Sequence, residues 1–336
     1  MSPTSIHPTQ HSQSLVRIKT ILGATLLALG LLPTWAQAQA YPSKPIRILT
    51  GFAPGAPGEI VMRLVADKVF ASAKQAVVID NRPGASGNIA TELVARSAPD
   101  GYTLFVGPDT VVTVNPHIFK KLTFNPAEDL VPVTYLSNTS QTLVCNPAVP
   151  ANNLADFLKL AKSQSMNYAS GGPGVPGHLA MELFMSVTDI KMTHIPYKGP
   201  APAMQDVMGG SVPCGFLATT VVVPQVRSGK LKAFAVSSAS RSVMAPELPT
   251  AREAGVPGYD ATFGEIVLAP KGTPPAILRA WQEELAKAFQ DPAVRERMLA
   301  IDLPPVANTP ADALSRVRSE SLRWAKVVDQ VKLQVD

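Results

Sequence analysis

Proline and glycine gather at four places in this chain, and each could bind an anion through backbone N–H groups. They are Gly51-Phe52-Ala53-Pro54-Gly55-Ala56-Pro57-Gly58-Glu59, Asn81-Arg82-Pro83-Gly84-Ala85-Ser86-Gly87-Asn88, Pro108-Asp109-Thr110 and Gly171-Gly172-Pro173-Gly174-Val175-Pro176-Gly177-His178. Glycine lets a backbone come close to a ligand. A helix that follows offers unpaired N–H groups and the positive end of its dipole. A small carboxylate held between such corners is the chemistry this pattern suggests. The plain alternative is a set of tight strand-to-helix turns, which α/β proteins need in any case.

Side chains that could carry out a reaction are few. No G-x-S-x-G elbow occurs, and Gly84-Ala85-Ser86-Gly87 misses it by one position. Gly172-Pro173-Gly174-Val175-Pro176-Gly177 spells a dinucleotide fingerprint. Its two prolines delete N–H groups the loop would need, and the next strand ends in Pro196-Tyr197-Lys198 without the acidic residue that should hold a ribose, so no nucleotide cofactor is expected. His178, just inside a helix start, suits a hydrogen bond to its own loop better than general-base work. Glu59 could touch a ligand or simply favour the first turn of a helix. Asp109 could touch a ligand or cap the turn after it. Downstream of residue 40 only His117, His178 and His194 remain, without metal-ligand spacing, so no metal is expected.

Short β-rich runs alternate with helical stripes and would place these corners at strand ends. Ile46–Thr50, Val77–Asp80, Thr103–Gly107, Leu143–Cys145, Asn167–Ser170, Met192–Tyr197, Cys214–Leu217 and Leu231–Ser237 read as buried strands. Val61, Leu64, Val65 and Val69 form one helical stripe, and Leu154, Phe157, Leu158 and Ala161 another. Ile277, Trp281, Leu285 and Phe289, then Leu314, Val317, Trp324 and Val328, predict C-terminal helices that pack on the sheets. Strand–helix alternation implies sheets covered on both faces, whose carboxyl edges bind ligands. The length exceeds a comfortable single core. Two α/β lobes, with the chain crossing between them twice, would leave a cleft where they meet.

The chain has 336 residues, 16% charged, with a net charge of +5. Arg17 and Lys19, the apolar run Ile21–Leu32 and the small residues up to Ala40 have the form of a secretory signal peptide over residues 1–40, cleaved after Ala38 or Ala40. That run is too short to span a membrane. The mild charge, with no basic stripe interleaved with aromatics, argues against nucleic acid. Cys145 and Cys214 could pair in an oxidising compartment. Their apolar surroundings favour two free, buried thiols, which is the expectation.

Tyr41-Pro-Ser-Lys-Pro-Ile-Arg-Ile, Gly51-Phe-Ala-Pro-Gly, Asn81-Arg-Pro-Gly-Ala-Ser-Gly-Asn and Ala98-Pro-Asp-Gly-Tyr-Thr-Leu stand in order along the chain. Tyr168-Ala-Ser-Gly with His178-Leu-Ala, Ile195-Pro-Tyr-Lys-Gly, Gly229-Lys-Leu-Lys-Ala, Glu253-Ala-Gly-Val-Pro-Gly-Tyr and Leu268-Ala-Pro-Lys-Gly-Thr-Pro follow. Together they resemble the solute receptors of tripartite tricarboxylate transporters, the Bug family, over essentially all of the chain from Tyr41. The resemblance implies an α/β, type II periplasmic-binding-protein fold: two lobes with mixed, mostly parallel sheets and a two-strand hinge. Lobe 1 would be 41–140 plus 261–336, and lobe 2 would be 141–260.

The resemblance further implies a non-enzymatic, periplasmic, monomeric receptor that closes on a small organic carboxylate and delivers it to membrane permease subunits. A receptor presenting the acid to a signalling partner is the alternative; a secreted hydrolase lacks a nucleophile with a base in reach. Phe52, Pro54, Gly55 and Ala56 would meet the ligand from one lobe, and Ser170, Gly171 and Gly172 from the other. Ser86, Thr110 and His178 flank the cleft, and Glu59, Phe216, Thr219 and Phe263 complete the candidate set. The chain departs from the family pattern at Ala56-Pro57-Gly58-Glu59, where a second glycine and an aspartate are usual, at Leu217, and at Phe263 in place of tryptophan. A less polar far wall points to an acid with one carboxylate and an apolar or aromatic body, with a dicarboxylate such as adipate or an aromatic diacid as the alternative.

Overall fold

The computed structural model describes residues 1–4 and 41–335. Both expected cleavage points, and all but the first four residues of the expected signal peptide, lie outside the described residues. Two five-stranded sheets carry the chain from Tyr41 onward. The first has the order β2-β1-β3-β10-β4, built from β1 (Ile46–Thr50), β2 (Val77–Asn81), β3 (Thr103–Pro108), β4 (Leu130–Thr139) and β10 (Phe263–Pro270). The second has the order β7-β6-β8-β5-β9, built from β5 (Gln141–Cys145), β6 (Met166–Ser170), β7 (Met192–Pro196), β8 (Cys214–Ala218) and β9 (Lys232–Val236). In each sheet one strand opposes the rest, β10 in the first and β5 in the second.

Those opposed strands are where the chain changes sheets. β4 ends at Thr139, Ser140 follows, and β5 begins at Gln141. On the return, the Ala261 N–H donates to the Ser237 carbonyl at 2.8 Å, and Phe263 pairs with Thr139. The two passages therefore run side by side as a two-strand hinge. Three hydroxyls brace it: Thr219 Oγ1 lies 2.7 Å from Ser140 Oγ and 2.9 Å from Thr142 Oγ1.

The apolar stripes fall where burial requires them. Val61, Met62 and Val65 of helix Pro57–Val65 pack with Ile46, Ile48 and Trp281 in the first lobe. Phe157 of helix Leu154–Ser163 packs with Leu143, Phe184 and Phe234 in the second. The C-terminal helix Pro310–Val331 serves both cores. Its Ala313 and Val317 join Leu49, Tyr135 and Ile266 of the first sheet, whereas Trp324 and Val328 join Tyr168, Phe184 and Phe216 of the second lobe. Trp324 stacks on Phe263 at 5.0 Å beside the hinge.

The expectation of two free thiols is overturned: Cys145 and Cys214 form a disulfide. They stand directly opposite one another on the antiparallel pair β5–β8, with Cα atoms 4.0 Å apart. Each is buried, as its apolar context implied. That context does not reveal register, and register makes the bond. Among the described residues no helix is long and apolar enough to cross a membrane. No group of three or more His, Cys, Asp or Glu among them is placed to hold a metal ion.

Candidate functional site

Three helices begin at the gap between the sheets: Pro57–Val65 from the first lobe, Pro176–Thr188 and Pro200–Gly209 from the second. Each has proline in its first position, which fixes φ for the first turn and removes an N–H that would otherwise lack a partner. Pro57, Pro176 and Pro200 all line one cavity of about 40 Å³. Phe52, Ala56, Val175, Phe216 and Leu217 give it apolar walls, and Gly171 and Gly177 bring backbone to its edge. Its polar side chains are Gln141 and Glu265. A second cavity of about 300 Å³ lies across Phe52 and Gly171, bounded by Ser86, Gly172 and Lys198.

The two sides touch. The Ala53 N–H donates to the Lys198 carbonyl at 2.9 Å, and Phe52 and Ala56 pack on Val175. Gly199 makes the approach possible, because a Cβ there would press on the Ala53 nitrogen at 3.3 Å and its φ is +137°.

Much of the loops' hydrogen bonding is turned inward. Glu59, buried, accepts from the Gly55 N–H at 2.9 Å and from Arg63 Nε at 2.8 Å, so it closes its own loop. His178 Nδ1 accepts from the Gly174 N–H at 2.9 Å, the loop bond its position suggested. Its ring stacks on His194 at 3.9 Å, and His194 Nε2 meets Ser170 Oγ at 2.7 Å. Burial, then the neighbouring His178, pushes the His194 pKa down to about 3, so that imidazole is neutral. Ser170 Oγ also accepts from the Gly172 N–H at 3.2 Å. This stack sets the shape of the 170–178 loop from behind.

Of the expected ligand contacts, the structure brings Phe52, Ala56, Gly171 and Phe216 to the smaller cavity, and Ser86 and Gly172 to the larger. Pro54 and Gly55 sit on the outer turn of their loop. Glu59, Ser170 and His178 stand behind the loops, Thr219 belongs to the hinge, and Phe263 lies against Trp324. Thr110 is fully buried at the end of β3. Asp109 does not cap the helical turn Thr110–Thr113. Its Oδ2 accepts from the Tyr135 hydroxyl at 3.2 Å instead.

One pattern at this edge could not be found from the sequence. The buried side-chain atoms without a protein partner include Thr50 Oγ1, Ser86 Oγ, Asp109 Oδ1, Thr110 Oγ1, Asn115 Oδ1 and Glu265 Oε2. All six belong to the carboxyl edge of the first sheet, where Glu265 of β10 pairs with Pro108 at the end of β3. Unsatisfied buried polar atoms are rare and costly, so their concentration marks a surface organised for something other than stability.

Burial, opposed by the charge of Arg316, raises the Asp109 pKa to about 6. Unfolded Asp titrates near 4. Its contribution to stability is therefore fully present below pH 4 and is lost as pH rises through 6, a loss of about 2–3 kcal/mol. Asp109→Asn should remove that share of the decline in unfolding free energy between pH 4 and 7, measured by urea titration. A decline as steep as in the wild type would show that Asp109 is ionised in the fold throughout.

A two-lobed α/β chain that closes polar corners over an enclosed cleft has the architecture of a solute-binding receptor, and comparison with known proteins specifies which kind. Residues 61–333 match the model of the Tripartite tricarboxylate transporter family receptor, and the chain belongs to that family. It is 33% identical to Protein BugT of Bordetella pertussis over 318 residues, 94% of this chain and 97% of BugT. It is similar to the structure of R. palustris Rpa4515 with adipate, at 30% identity and a TM-score of 0.84, covering 88% of this chain and 99% of that one. MatC from Rhodopseudomonas palustris with bound malate gives 29% identity and a TM-score of 0.80, covering 86% and 100%. The family and fold are those of substrate-binding receptors.

Proposed function

We propose that this protein is a periplasmic receptor, exported by its N-terminal segment, that captures a small organic carboxylate between its lobes for a tripartite tricarboxylate-type permease. The lobes divide at 140/141 and 260/261, and the receptor acts as a monomer. Phe52, Ala56, Gly171 and Phe216 touch the ligand, and Glu59, Ser170 and His178 shape the loops that hold it. The observation that carries this reading is the pair of cavities between the sheets, where three helix starts meet and where the unpartnered buried Ser86 Oγ and Glu265 Oε2 stand. A ligand that satisfies them stabilises the closed state by its differential affinity. The adipate and malate seen in relatives support an acid as that ligand.

The walls of Phe52, Val175, Phe216 and Leu217 favour an apolar body. A thermal-shift screen over mono-, di- and tricarboxylates should raise Tm with one of the first two classes. Stabilisation by citrate-like acids alone would overturn the apolar body, and no shift with any acid would overturn the receptor reading.

A further inference from the structure

The sole acidic or basic side chain lining the smaller cavity is Glu265. It is 2% exposed, and its Oε2 has no protein partner. It stands on β10, opposite Pro108, and the carboxylate oxygen lies so close to Gly58 that a Cβ there would collide with it. An acid placed in an apolar wall, with one oxygen unpaired, costs stability unless a bound solute completes it.

We propose, building on the carboxylate reading above, that Glu265 recognises the end of the ligand opposite the carboxylate held by the loops, donating a hydrogen bond from Oε2 to an oxygen acceptor there. The ligand class is then an acid with a second oxygen function, a second carboxylate above all, and capture is linked to proton uptake. The helix starts around Glu265 favour this over an ammonium, against the pull of Asp109. Helix Pro57–Val65 begins beside it, with the Gly58 backbone close against Oε2. The charged pair of that helix, Glu59 and Arg63, is engaged with itself and with Gly55. Two more helix starts reach the same cavity from the other lobe, and their combined field repels a cation.

From the turn after β3 comes Asp109, itself bonded to Tyr135 of β4 and influenced by Arg316 and Glu320 of the C-terminal helix. Burial first, and Asp109 second, raise the Glu265 pKa well above the usual carboxylate range. The donor is thus present when the cleft is shut. A neutral carboxylic acid meeting a carboxylate makes a short, charge-assisted hydrogen bond.

Two matched acid series test this on the whole exported chain by calorimetry: succinate, butyrate and 4-aminobutyrate, then adipate, hexanoate and 6-aminohexanoate. In at least one series the diacid should bind at least tenfold tighter than its partners, and its affinity should fall at least tenfold between pH 6.5 and 8.5. Glu265→Gln should abolish that pH slope, and Glu265→Leu should bring the diacid to the level of the monoacid. Near-ultraviolet circular dichroism confirms that each variant is folded. Tightest binding of the amino acids, or a diacid preference and pH slope that survive both substitutions, would overturn the role of Glu265 and leave the receptor reading intact. Failure of all six acids to bind the wild type would overturn both.

Discussion

Reducing the Cys145–Cys214 bond should lower the unfolding free energy by about 4 kcal/mol. The bond closes a loop of 69 residues, and the chain-entropy argument assigns a loop of that length roughly 4 kcal/mol through restriction of the unfolded state. In the fold the two residues face each other on paired strands. Urea titration of the Cys145→Ala/Cys214→Ala double variant should show the loss, and each single variant should lose as much as the double. A double variant within 1 kcal/mol of the wild type would show that the unfolded chain is not restrained by the bond.

Trp281→Ala should cost about 3–5 kcal/mol, the range for deleting a buried large aromatic. Trp281 is completely buried on the first sheet and meets Phe70 edge-on at 5.0 Å. Its indole N–H donates to the Tyr41 hydroxyl at 2.6 Å, and that hydroxyl donates to the Gly101 carbonyl at 2.6 Å. The loss therefore combines a cavity with a broken buried polar chain. Trp281→Phe keeps most of the volume and removes only the donor, so it should cost about 1–3 kcal/mol. Equal losses in the two variants, measured by the same titration, would mean that the hydrogen bond and not the packing holds this corner.

How far the sequence reveals the molecule depends on which forces are local. The parallel strands and helical stripes announce themselves because their periodicity reflects a buried face along one segment. Two long strands escape notice. β4, Leu130–Thr139, contains Pro132 and ends in Ser137-Asn138-Thr139, a pattern that discourages a strand. It is tolerated because β4 lies at the edge of its sheet. β10 carries Gly264 and Glu265 among apolar residues, yet all eight of its residues are buried between β3 and β4. The same gap hides the polar end of the cleft. Glu265 reaches Pro108 only because the chain returns to the first sheet more than 150 residues later, and no local spacing encodes such a return. The corners were legible for the opposite reason: Gly55, Gly172 and Gly174 have positive φ, a local demand that glycine meets. Alternation and length pointed to two lobes, and resemblance supplied the type of fold.

The C-terminal helix ties the two lobes together. One end is keyed into the first lobe through Ala313 and the other wedged into the second through Trp324 and Val328. Parting the jaws must either slide Trp324 out of its slot or pivot the second half around it. Because that slot sits against Phe263 at the crossing strands, pivoting disturbs the fewest neighbours. An opening of this kind would rotate about the tryptophan, within the shear that its stack on Phe263 allows.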